Sequence, residues 1–335
     1  MTARRGRSHG VLDTGPDRPG RLRGRLHRGC NRGDIDRPVH LSATRDLNNL
    51  EALLVDTNRL TEAEPQYRKA LAIAEASHGP DHPEVAAALE NLAGLLFATN
   101  RLAEAEPLRR RVLTIFETSL GSNHPNVATA LKNVAELLRA TNRLAEAEPL
   151  FRRALAIDEA SYGPDHTDVA RDLDNLALLL QATNRLAEAE PLYRRAVAIR
   201  EKSLGQDDPQ VATILNSLAL LLQATNRPAE AERLLRRALA IEEASLGPDH
   251  LNVAFRLNNL AGVLQATNRV AEAEPLSRRM LEIFLKFARA TGQQHPHLIV
   301  ASKNHARLLA AMGRSNPQIE AQLDEIGRPF GVSLQ

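Results

Sequence analysis

The stretch ATNRLAEAEPLYRRAVAI, residues Ala182–Ile199, decides the architecture of the chain because near-copies of it occur six times. Each copy contains an Asn-Arg pair, and successive pairs stand 42 residues apart. The asparagines of these pairs are Asn58, Asn100, Asn142, Asn184, Asn226 and Asn268. A fixed period of this length is typical of stacked structural units, so we expect one elongated domain.

Two amphipathic helices are predicted in every unit. In one unit the first helix covers Val85–Thr99 and the second covers Leu102–Leu120. Apolar residues recur along both helices at the spacing of a buried face; in the first helix they are Leu89, Leu92, Ala93 and Leu96. Asn100 stands where the chain reverses within a few residues, which predicts a left-handed backbone at that residue.

Glycine and proline mark the other end of each unit. A glycine is expected to stop the second helix, and these glycines are Gly79, Gly121, Gly163, Gly205 and Gly247. A proline is expected in the first turn of the next helix, where its missing N–H costs no hydrogen bond. These prolines are Pro83, Pro125, Pro209 and Pro296.

Together these features resemble tetratricopeptide (TPR) repeats, with small residues such as Ala93, Ala105 and Ala154 between paired helices. The period and the segments LNNLA, EAEPL and GPDHP are similar to the kinesin light chain subfamily. The resemblance covers roughly Leu41 to Arg314. It implies an all-α, right-handed solenoid of antiparallel helix pairs, with a concave groove that binds peptide segments of other proteins. The heptad region that joins a light chain to a kinesin motor has no counterpart in this sequence.

Three segments are predicted along the chain. Residues 1–39 form a disordered Arg-rich arm, residues 41–314 form the solenoid, and residues 315–335 form a capping helix and tail. The solenoid contains six full repeats and the first helix of a seventh. The first repeat begins with a helix near Leu47–Leu54, and with the cap fourteen helices are expected.

Composition narrows the class of protein. Aromatic residues make up 3% of the chain and Trp is absent, which favours a Leu- and Ala-rich helical core. Cys30 is the single cysteine, so internal disulfides and cysteine-ligated metal clusters are excluded. No apolar run reaches the roughly 18 residues of a membrane span, and no signal-peptide pattern follows the basic N-terminus. We therefore expect a cytoplasmic protein without membrane contact or cofactor.

The N-terminal arm supports two interpretations. It contains ten Arg, four Asp and no Lys, whereas the rest of the chain has 33 basic and 37 acidic residues. An arm of this charge could bind nucleic acid or an acidic partner. Alternatively, the 38 Arg and five Lys of the whole chain indicate a GC-rich gene whose start lies too far upstream. We favour the second interpretation.

Histidines recur near the helix starts and raise the question of a metal site: His82, His124, His166, His250 and His295. Neighbouring units lie about 8–10 Å apart, whereas ligands of one zinc lie within about 3–4 Å of each other. Asp208 also takes the histidine's place in one unit. We expect these residues to cap turns, and we expect no metal site.

Arginines of the second helices form a stripe that could follow a phosphate backbone: Arg68, Arg110, Arg152, Arg194, Arg236 and Arg278. A glutamate stands four residues before each of them: Glu64, Glu106, Glu148, Glu190, Glu232 and Glu274. This order favours surface ion pairs worth roughly 0.2–0.5 kcal/mol each. The stripe should therefore be neutralised locally, so that nucleic acid would bind only through the N-terminal arm.

No catalytic residues are predicted. The sequence shows no Ser-His-Asp or Cys-His arrangement, and Cys30 lies in the arm. Gly-rich phosphate loops are missing as well. The chain is therefore not expected to be an enzyme.

The face of the first helices opposite the Leu stripe is the candidate binding surface. In Val85–Thr99 it holds residues 87, 90, 91, 94, 97 and 98, an arc of about 120° that lines the groove in TPR proteins. One place on this arc hardly varies: Asn49, Asn91, Asn133, Asn175, Ser217 and Asn259. Asn offers a donor and an acceptor to an extended peptide backbone, although each could instead bond only a neighbouring helix.

Charges on the same arc predict a preference among peptides. Lys132, Arg139 and Arg171 lie in neighbouring units and favour acidic residues in the middle of the groove. Acidic residues of the arc stand among them, so the preference should be local and modest. The predicted function is a non-catalytic scaffold that binds peptide segments of partner proteins. The alternative is a nucleic-acid-associated protein that binds through its basic arm.

Overall fold

The computed structural model describes residues 60–332 and residue 334, and these form thirteen α-helices and no strand. The helices are α1 (Leu60–His78), α2 (Pro83–Ala98), α3 (Leu102–Leu120), α4 (Pro125–Ala140), α5 (Leu144–Tyr162), α6 (Thr167–Ala182), α7 (Leu186–Leu204), α8 (Pro209–Ala224), α9 (Pro228–Leu246), α10 (Leu251–Ala266), α11 (Val270–Thr291), α12 (Leu298–Ala311) and α13 (Asn316–Gly327). A 3₁₀ turn, Arg328–Phe330, follows. The N-terminal arm, the helix predicted near Leu47–Leu54, Asn49 and Asn58 lie outside the described residues.

Helices that follow each other in the chain pack on each other. The even-numbered helices α2 to α10 pack most extensively on the helix that comes next, and each such pair then packs on the following pair. Since the connection within a pair is only a short turn, the two helices run antiparallel. The predicted all-α solenoid of helix pairs is confirmed. We call the even-numbered helices α2 to α12 the inner helices and the odd-numbered helices α1 to α11 the outer helices.

Asparagine reverses the chain after an inner helix, as predicted. Asn100, Asn142, Asn184, Asn226 and Asn268 have φ values of 58–60°. At the first of these turns the N–H of Arg101 donates to the carbonyl oxygen of Leu96 at 2.7 Å. The hydroxyl of Thr99 donates to another carbonyl of the last helical turn, at 2.9 Å. These bonds satisfy carbonyls that the helix leaves unpaired, which explains why Thr-Asn-Arg recurs at the turns.

Histidine caps the start of an inner helix. His82 Nδ1 accepts the backbone N–H of Glu84 at 3.2 Å, and the same bond is made at His124, His166 and His250. Asp208 does the same with its carboxylate, which accepts the N–H of Gln210 at 2.8 Å. The predicted capping role is confirmed for this set. The prolines Pro83, Pro125 and Pro209 stand directly after their caps, also as predicted.

Pro296 is an exception to the predicted pattern. The last inner helix begins at Leu298, so Pro296 lies in the preceding turn and not in the first turn of the helix. The physical reason is the longer outer helix before it: α11 has 22 residues, against 19 in α9, and ends at Gly292 with φ 70°. His295 still accepts a backbone N–H, from His297 at 3.2 Å.

The core consists mainly of Leu, Ala and Val. In α2 the predicted stripe is buried, together with Val85, Ala86, Ala88 and Leu95. The buried arc is wider than the stripe because each inner helix is covered by the outer helix of its own pair and by the outer helix before it. Only the arc proposed as the binding surface stays uncovered.

Helix α13 follows the last inner helix and packs against α11 and α12. Ser315 and Gln318 cap its start reciprocally. At its end, Gly327 lies so close to the returning chain that a Cβ would stand 2.1 Å from the carbonyl oxygen of Val332. Both ends of this helix are therefore fixed by local contacts.

Candidate functional site

The candidate surface repeats once on each inner helix. On α6 it consists of Arg171, Asp174, Asn175, Leu178, Gln181 and Ala182, all half-buried or exposed. Helices α6 and α8 contact each other directly, and so do α8 and α10. The uncovered arcs therefore adjoin and form one surface, which we call the inner face.

The asparagine row of the inner face bonds from helix to helix. Asn133 Nδ2 donates to Glu90 Oε1 at 2.8 Å, and Asn259 Nδ2 donates to Asn216 Oδ1 at 2.7 Å. In α12 the same place is taken by Asn304, whose Nδ2 lies 3.4 Å from Asn258 Oδ1. At least part of the row thus holds neighbouring inner helices together, the alternative that the sequence analysis left open.

Two members of the row differ from this pattern. Asn175 is half-buried, and its side chain makes no hydrogen bond to another described residue. The Ser217 hydroxyl donates to the carbonyl oxygen of Thr213 in its own helix, at 3.4 Å. The middle of the inner face therefore keeps an amide group that is not used within the fold.

Lys132 does not face the inner surface, which corrects the sequence analysis. Its side chain is buried, with Nζ 2.7 Å from Asp158 Oδ2 and 3.0 Å from Asp172 Oδ1. Asp158 belongs to α5 and Asp172 to α6, so the lysine is drawn into the junction of three helices. Burial raises the pKa of the Asp172 carboxyl, an effect that Lys132 opposes. The lysine charge serves the fold and is not available to a ligand.

The other two predicted cations lie on the inner face and are exposed, but each has an acidic neighbour. Arg171 Nη2 is 2.7 Å from Asp168 Oδ1, and Arg139 Nη2 is 3.6 Å from Glu136 Oε2. Asp174 lies among them, and burial raises its carboxyl pKa to about 6 although nearby arginines oppose the shift. The middle of the inner face therefore carries both signs of charge.

The C-terminal half of the inner face has a different charge. Its residues are Thr213, Asn216, Ser217, Leu220, Gln223 and Ala224 on α8, Phe255, Asn258, Asn259, Gly262, Gln265 and Ala266 on α10, and Val300, Lys303, Asn304, Arg307, Ala310 and Ala311 on α12. None of these is acidic. Lys303 and Arg307 are exposed, and within the described residues neither forms an ion pair. This half of the surface is therefore cationic and rich in amides.

A recess of about 330 Å³ opens in this half, between α10 and α12. Its polar lining comes from Asn258, Gln265, Ser277, Asn304 and Arg307. The walls thus offer amide groups, a hydroxyl and one guanidinium, which are groups that donate hydrogen bonds to an anion. The sequence analysis did not identify this recess.

Two small residues explain why the recess exists. Gly262 stands where the two preceding inner helices carry Leu178 and Leu220, and Ser277 stands where outer helices carry bulkier side chains. The bulkier residues are Phe151, Tyr193 and Leu235, all buried. No atom lies within 4 Å of the place where a Cβ of Gly262 would be. Comparing each position across the repeats would have found the site, because both departures are visible in the sequence.

Behind the recess, a buried Ser and a buried His lie next to a half-buried Glu. His305 Nδ1 lies 3.1 Å from Ser277 Oγ, and His305 Nε2 lies 3.9 Å from Glu274 Oε1. Burial, with some help from Arg278, lowers the pKa of His305 to about 4, so the imidazole is neutral and weakly basic. Ser277 lies inside a helix, where the backbone N–H groups already donate to carbonyl oxygens of the same helix. They are therefore not free to stabilise an oxyanion, as a nucleophilic serine would require. The three residues fit a buried polar contact and not a nucleophilic site.

The outer helices carry ion pairs in every described unit. The pairs Arg68–Glu64, Arg110–Glu106, Arg152–Glu148, Arg194–Glu190 and Arg236–Glu232 have N–O distances of 2.6–2.8 Å. The predicted neutralisation of the stripe is confirmed at these pairs. Arg278 is an exception, because it pairs with Glu282 at 3.3 Å and not with Glu274.

Within the described residues, the arginine of each Asn-Arg pair links neighbouring units, a role that was not predicted from the sequence. Arg143 Nη1 lies 2.8 Å from Glu106 Oε2 in the preceding outer helix, and Arg143 Nη2 lies 2.7 Å from Glu146 in its own helix. The same double contact recurs at Arg101, Arg185, Arg227 and Arg269. The glutamates of the stripe are thus shared between two arginines.

The part of the chain that the structure describes has no candidate membrane span and no candidate metal cluster. None of its helices is both long and apolar enough to cross a membrane. No group of three or more His, Cys, Asp or Glu residues within it could hold a metal ion.

Comparison with known proteins identifies the repeat. A family model described as tetratricopeptide repeat matches residues 47–118, 84–160, 134–202 and 210–286. No curated protein matches the chain.

Several solved structures share the fold. One is a Podosopora anserina protein described as a kinesin light chain with nearly identical TPR-like repeats. It is 26% identical, with a TM-score of 0.54 over 62% of this chain and 98% of its own. BtubC (BKLC) from P. vanneervenii is 21% identical, with a TM-score of 0.56 over 77% of this chain and 92% of its own. The apo form of RapI is 15% identical, with a TM-score of 0.56 over 81% and 97%. At these identities, the last two show only the fold.

The family match covers more than half of the chain and coincides with the described helix pairs. The Podosopora anserina protein described as a kinesin light chain is among the structural neighbours. The chain therefore belongs to the tetratricopeptide repeat family, whose repeats generally serve as scaffolds for protein–protein interaction.

Proposed function

We propose that this protein is a non-catalytic scaffold that binds extended peptide segments of partner proteins along the inner face. Binding is assigned to the solenoid of residues 41–314, and residues 315–335 act as its C-terminal cap. The partner is a protein or peptide. No cofactor or metal takes part in the proposed role.

The observation that carries the proposal is the contrast between the faces of the solenoid. The core face repeats the same apolar residues, and the outer helices repeat the same ion pairs. The inner face alone stays partly uncovered while its residues change from unit to unit, as at Ala87, Thr129, Arg171, Thr213 and Phe255. A surface that the fold leaves unfilled and that varies along its length is suited to reading a sequence of side chains.

Polar groups of the inner face support a peptide backbone as the ligand. The side chain of Asn175 is half-buried and makes no hydrogen bond to another described residue, and the side chain of Gln223 on α8 is in the same situation. An extended peptide presents alternating N–H and C=O groups, and an amide side chain can bond either of them.

The paired arginine stripe of the outer helices does not support nucleic-acid binding there. Each described arginine of the stripe already has a carboxylate partner within 3.3 Å. The alternative of binding through the N-terminal arm concerns residues outside those that the structure describes.

The proposal can be tested by selecting random peptides displayed on phage with the immobilised full chain. The best peptide is then synthesised, and its Kd is measured by fluorescence anisotropy. We expect Asn175→Ala with Gln223→Ala to weaken binding by about tenfold, since each lost hydrogen bond costs about 0.5–1.5 kcal/mol. The matched control is Arg152→Ala with Arg236→Ala on the outer helices, which should leave the Kd unchanged. Equal binding by both double variants, with intact folds, would place the ligand elsewhere.

A further inference from the structure

We propose that the recess between α10 and α12 binds an acidic side chain of the peptide, so that partners place a Glu or Asp over the C-terminal units. This inference rests on the proposed function of the inner face and adds the chemistry of its partner. It also differs from the sequence analysis, which put the acidic preference in the middle units.

The charge of the recess comes from Arg307. This arginine is exposed, lines the recess and has no carboxylate partner within the described residues, whereas Arg139 and Arg171 each have one. A guanidinium holds a carboxylate through two parallel N–H···O bonds, which are stronger than bonds between neutral groups. A ligand carboxylate would therefore gain an ion pair at Arg307 without displacing an existing one.

The walls of the recess add hydrogen-bond donors around the same space. Asn258, Asn304 and Gln265 line it with amide groups. Its volume of about 330 Å³ leaves room for a carboxylate side chain and several waters. No acidic residue belongs to the C-terminal half of the inner face, so nothing on that surface repels an anion.

The position of the recess favours a side chain within a peptide over a free C-terminus. A second recess of about 60 Å³ lies next to it, and both are lined by Asn258 and Asn304. The second recess has a more apolar lining that includes Phe255 and Val300. An extended segment can therefore continue from one recess to the other, with an apolar residue following the acidic one.

The experiment uses phage-displayed random peptides that lack a free C-terminus, selected on the full chain. The best peptide is synthesised with an amidated end, in its acidic form and with each Glu or Asp replaced by Gln or Asn. The protein variants are Arg307→Gln, which removes the charge, and Gly262→Leu, which fills the recess with the residue found at Leu220. Arg289→Gln is the matched control, because this arginine is exposed and unpaired among the described residues but does not line the recess.

We expect Arg307→Gln to raise the Kd of the acidic peptide about tenfold, which corresponds to a loss of about 1.4 kcal/mol in binding free energy. Gly262→Leu should produce a similar loss of binding without lowering the melting temperature, and Arg289→Gln should bind like the parent. Replacing the acidic residue of the peptide should weaken its binding to the parent protein by the same factor. It should hardly change binding to Arg307→Gln, because the two substitutions remove the same contact.

The outcomes separate this inference from the proposed function. Selected peptides that bind equally well with and without their acidic residue would overturn the inference and leave the peptide-binding role standing. The same holds if the preference for acid persists in Arg307→Gln. If no peptide is enriched over a blank surface, the proposed function and the inference both fail.

Discussion

The buried charge cluster of Lys132, Asp158 and Asp172 makes the sharpest prediction about stability. All three side chains are at most 7% exposed, and the lysine nitrogen contacts both carboxylates within 3.0 Å. Replacing Lys132 by Met keeps the length of the side chain but leaves two carboxylates buried without a counter-charge. Breaking a buried ion pair in this way costs about 3–5 kcal/mol, so we expect a loss of that size at pH 7.

The loss should depend on pH. In the folded parent, burial raises the pKa of Asp172 from its ordinary value of 3.8 to about 7. Between these two values the folded chain holds a proton that the unfolded chain has released, so stability falls as the pH rises through this window. Without the lysine the pKa of Asp172 rises further, because the opposing positive charge is gone. Since Asp172 holds its proton at pH 5 with or without the lysine, Lys132→Met should cost only slightly less at pH 5 than at pH 7.

The chain offers its own control for this substitution. One unit earlier, Phe116 and Ala130 occupy the places of Asp158 and Asp172. The triple variant Lys132→Met, Asp158→Phe, Asp172→Ala removes every charge of the cluster and should recover most of the lost stability or exceed the parent. Urea denaturation followed by circular dichroism at both pH values measures these differences. A loss below about 1 kcal/mol at pH 7, or a clearly larger loss at pH 5 than at pH 7, would refute the reasoning.

Three further predictions concern turns, close contacts and ion pairs. Asn184→Gly should be nearly neutral and Asn184→Val should cost roughly 1–2 kcal/mol, because a β-branched residue is strained at positive φ; equal melting temperatures would contradict this. Gly327→Ala should lower the free energy of unfolding by about 1–3 kcal/mol, because the added methyl group clashes with the returning chain. Gly262→Ala meets open space and should raise it by up to about 1 kcal/mol. Chemical denaturation measures both changes. Arg143→Gln should cost at most about 1 kcal/mol at the surface. Arg256→Gln, which strips the buried Glu242 of its partner, should cost about 3–5 kcal/mol, and similar values for both would be evidence against the distinction.

The repeated features were the predictable part of this fold. The left-handed Asn184, the capping His166 and the Arg152–Glu148 pair could each be predicted because local chemistry fixes them and every unit repeats it. The turn around Pro296 could not, because three additional residues lengthen α11 and move the start of the next helix. A proline predicts the start of a helix only where the preceding helix has its usual length.

The candidate site was only partly predictable. The position of the inner face follows from helical periodicity, but the direction of Lys132 depends on Asp158, which lies 26 residues away in the chain. A helical wheel of one repeat cannot show that partner. The recess between α10 and α12 was missed for the related reason that it needs two small residues, Gly262 and Ser277, from different helices.

The junction that holds Lys132 shows how a nearly regular repeat can differ from unit to unit. At the same two places the chain has Phe116 with Ala130, Asp158 with Asp172, Arg200 with Ile214, and Glu242 with Arg256. The buried contact Arg256 Nη2–Glu242 Oε1 at 2.8 Å replaces a hydrophobic contact that would serve the core as well.

Since a buried ion pair adds little net stability over an apolar pair, these charges are better explained by the pairing of neighbours. A junction with buried acidic residues requires a cation from the neighbouring unit, and Lys132 supplies it to Asp158 and Asp172. A shifted stacking of the repeats would therefore leave buried charges unpaired. The turns, caps and surface pairs are nearly identical in every unit and cannot distinguish one register from another. The buried charges can, and we expect them to disfavour a shifted stacking in which other inner helices adjoin and other side chains meet on the inner face.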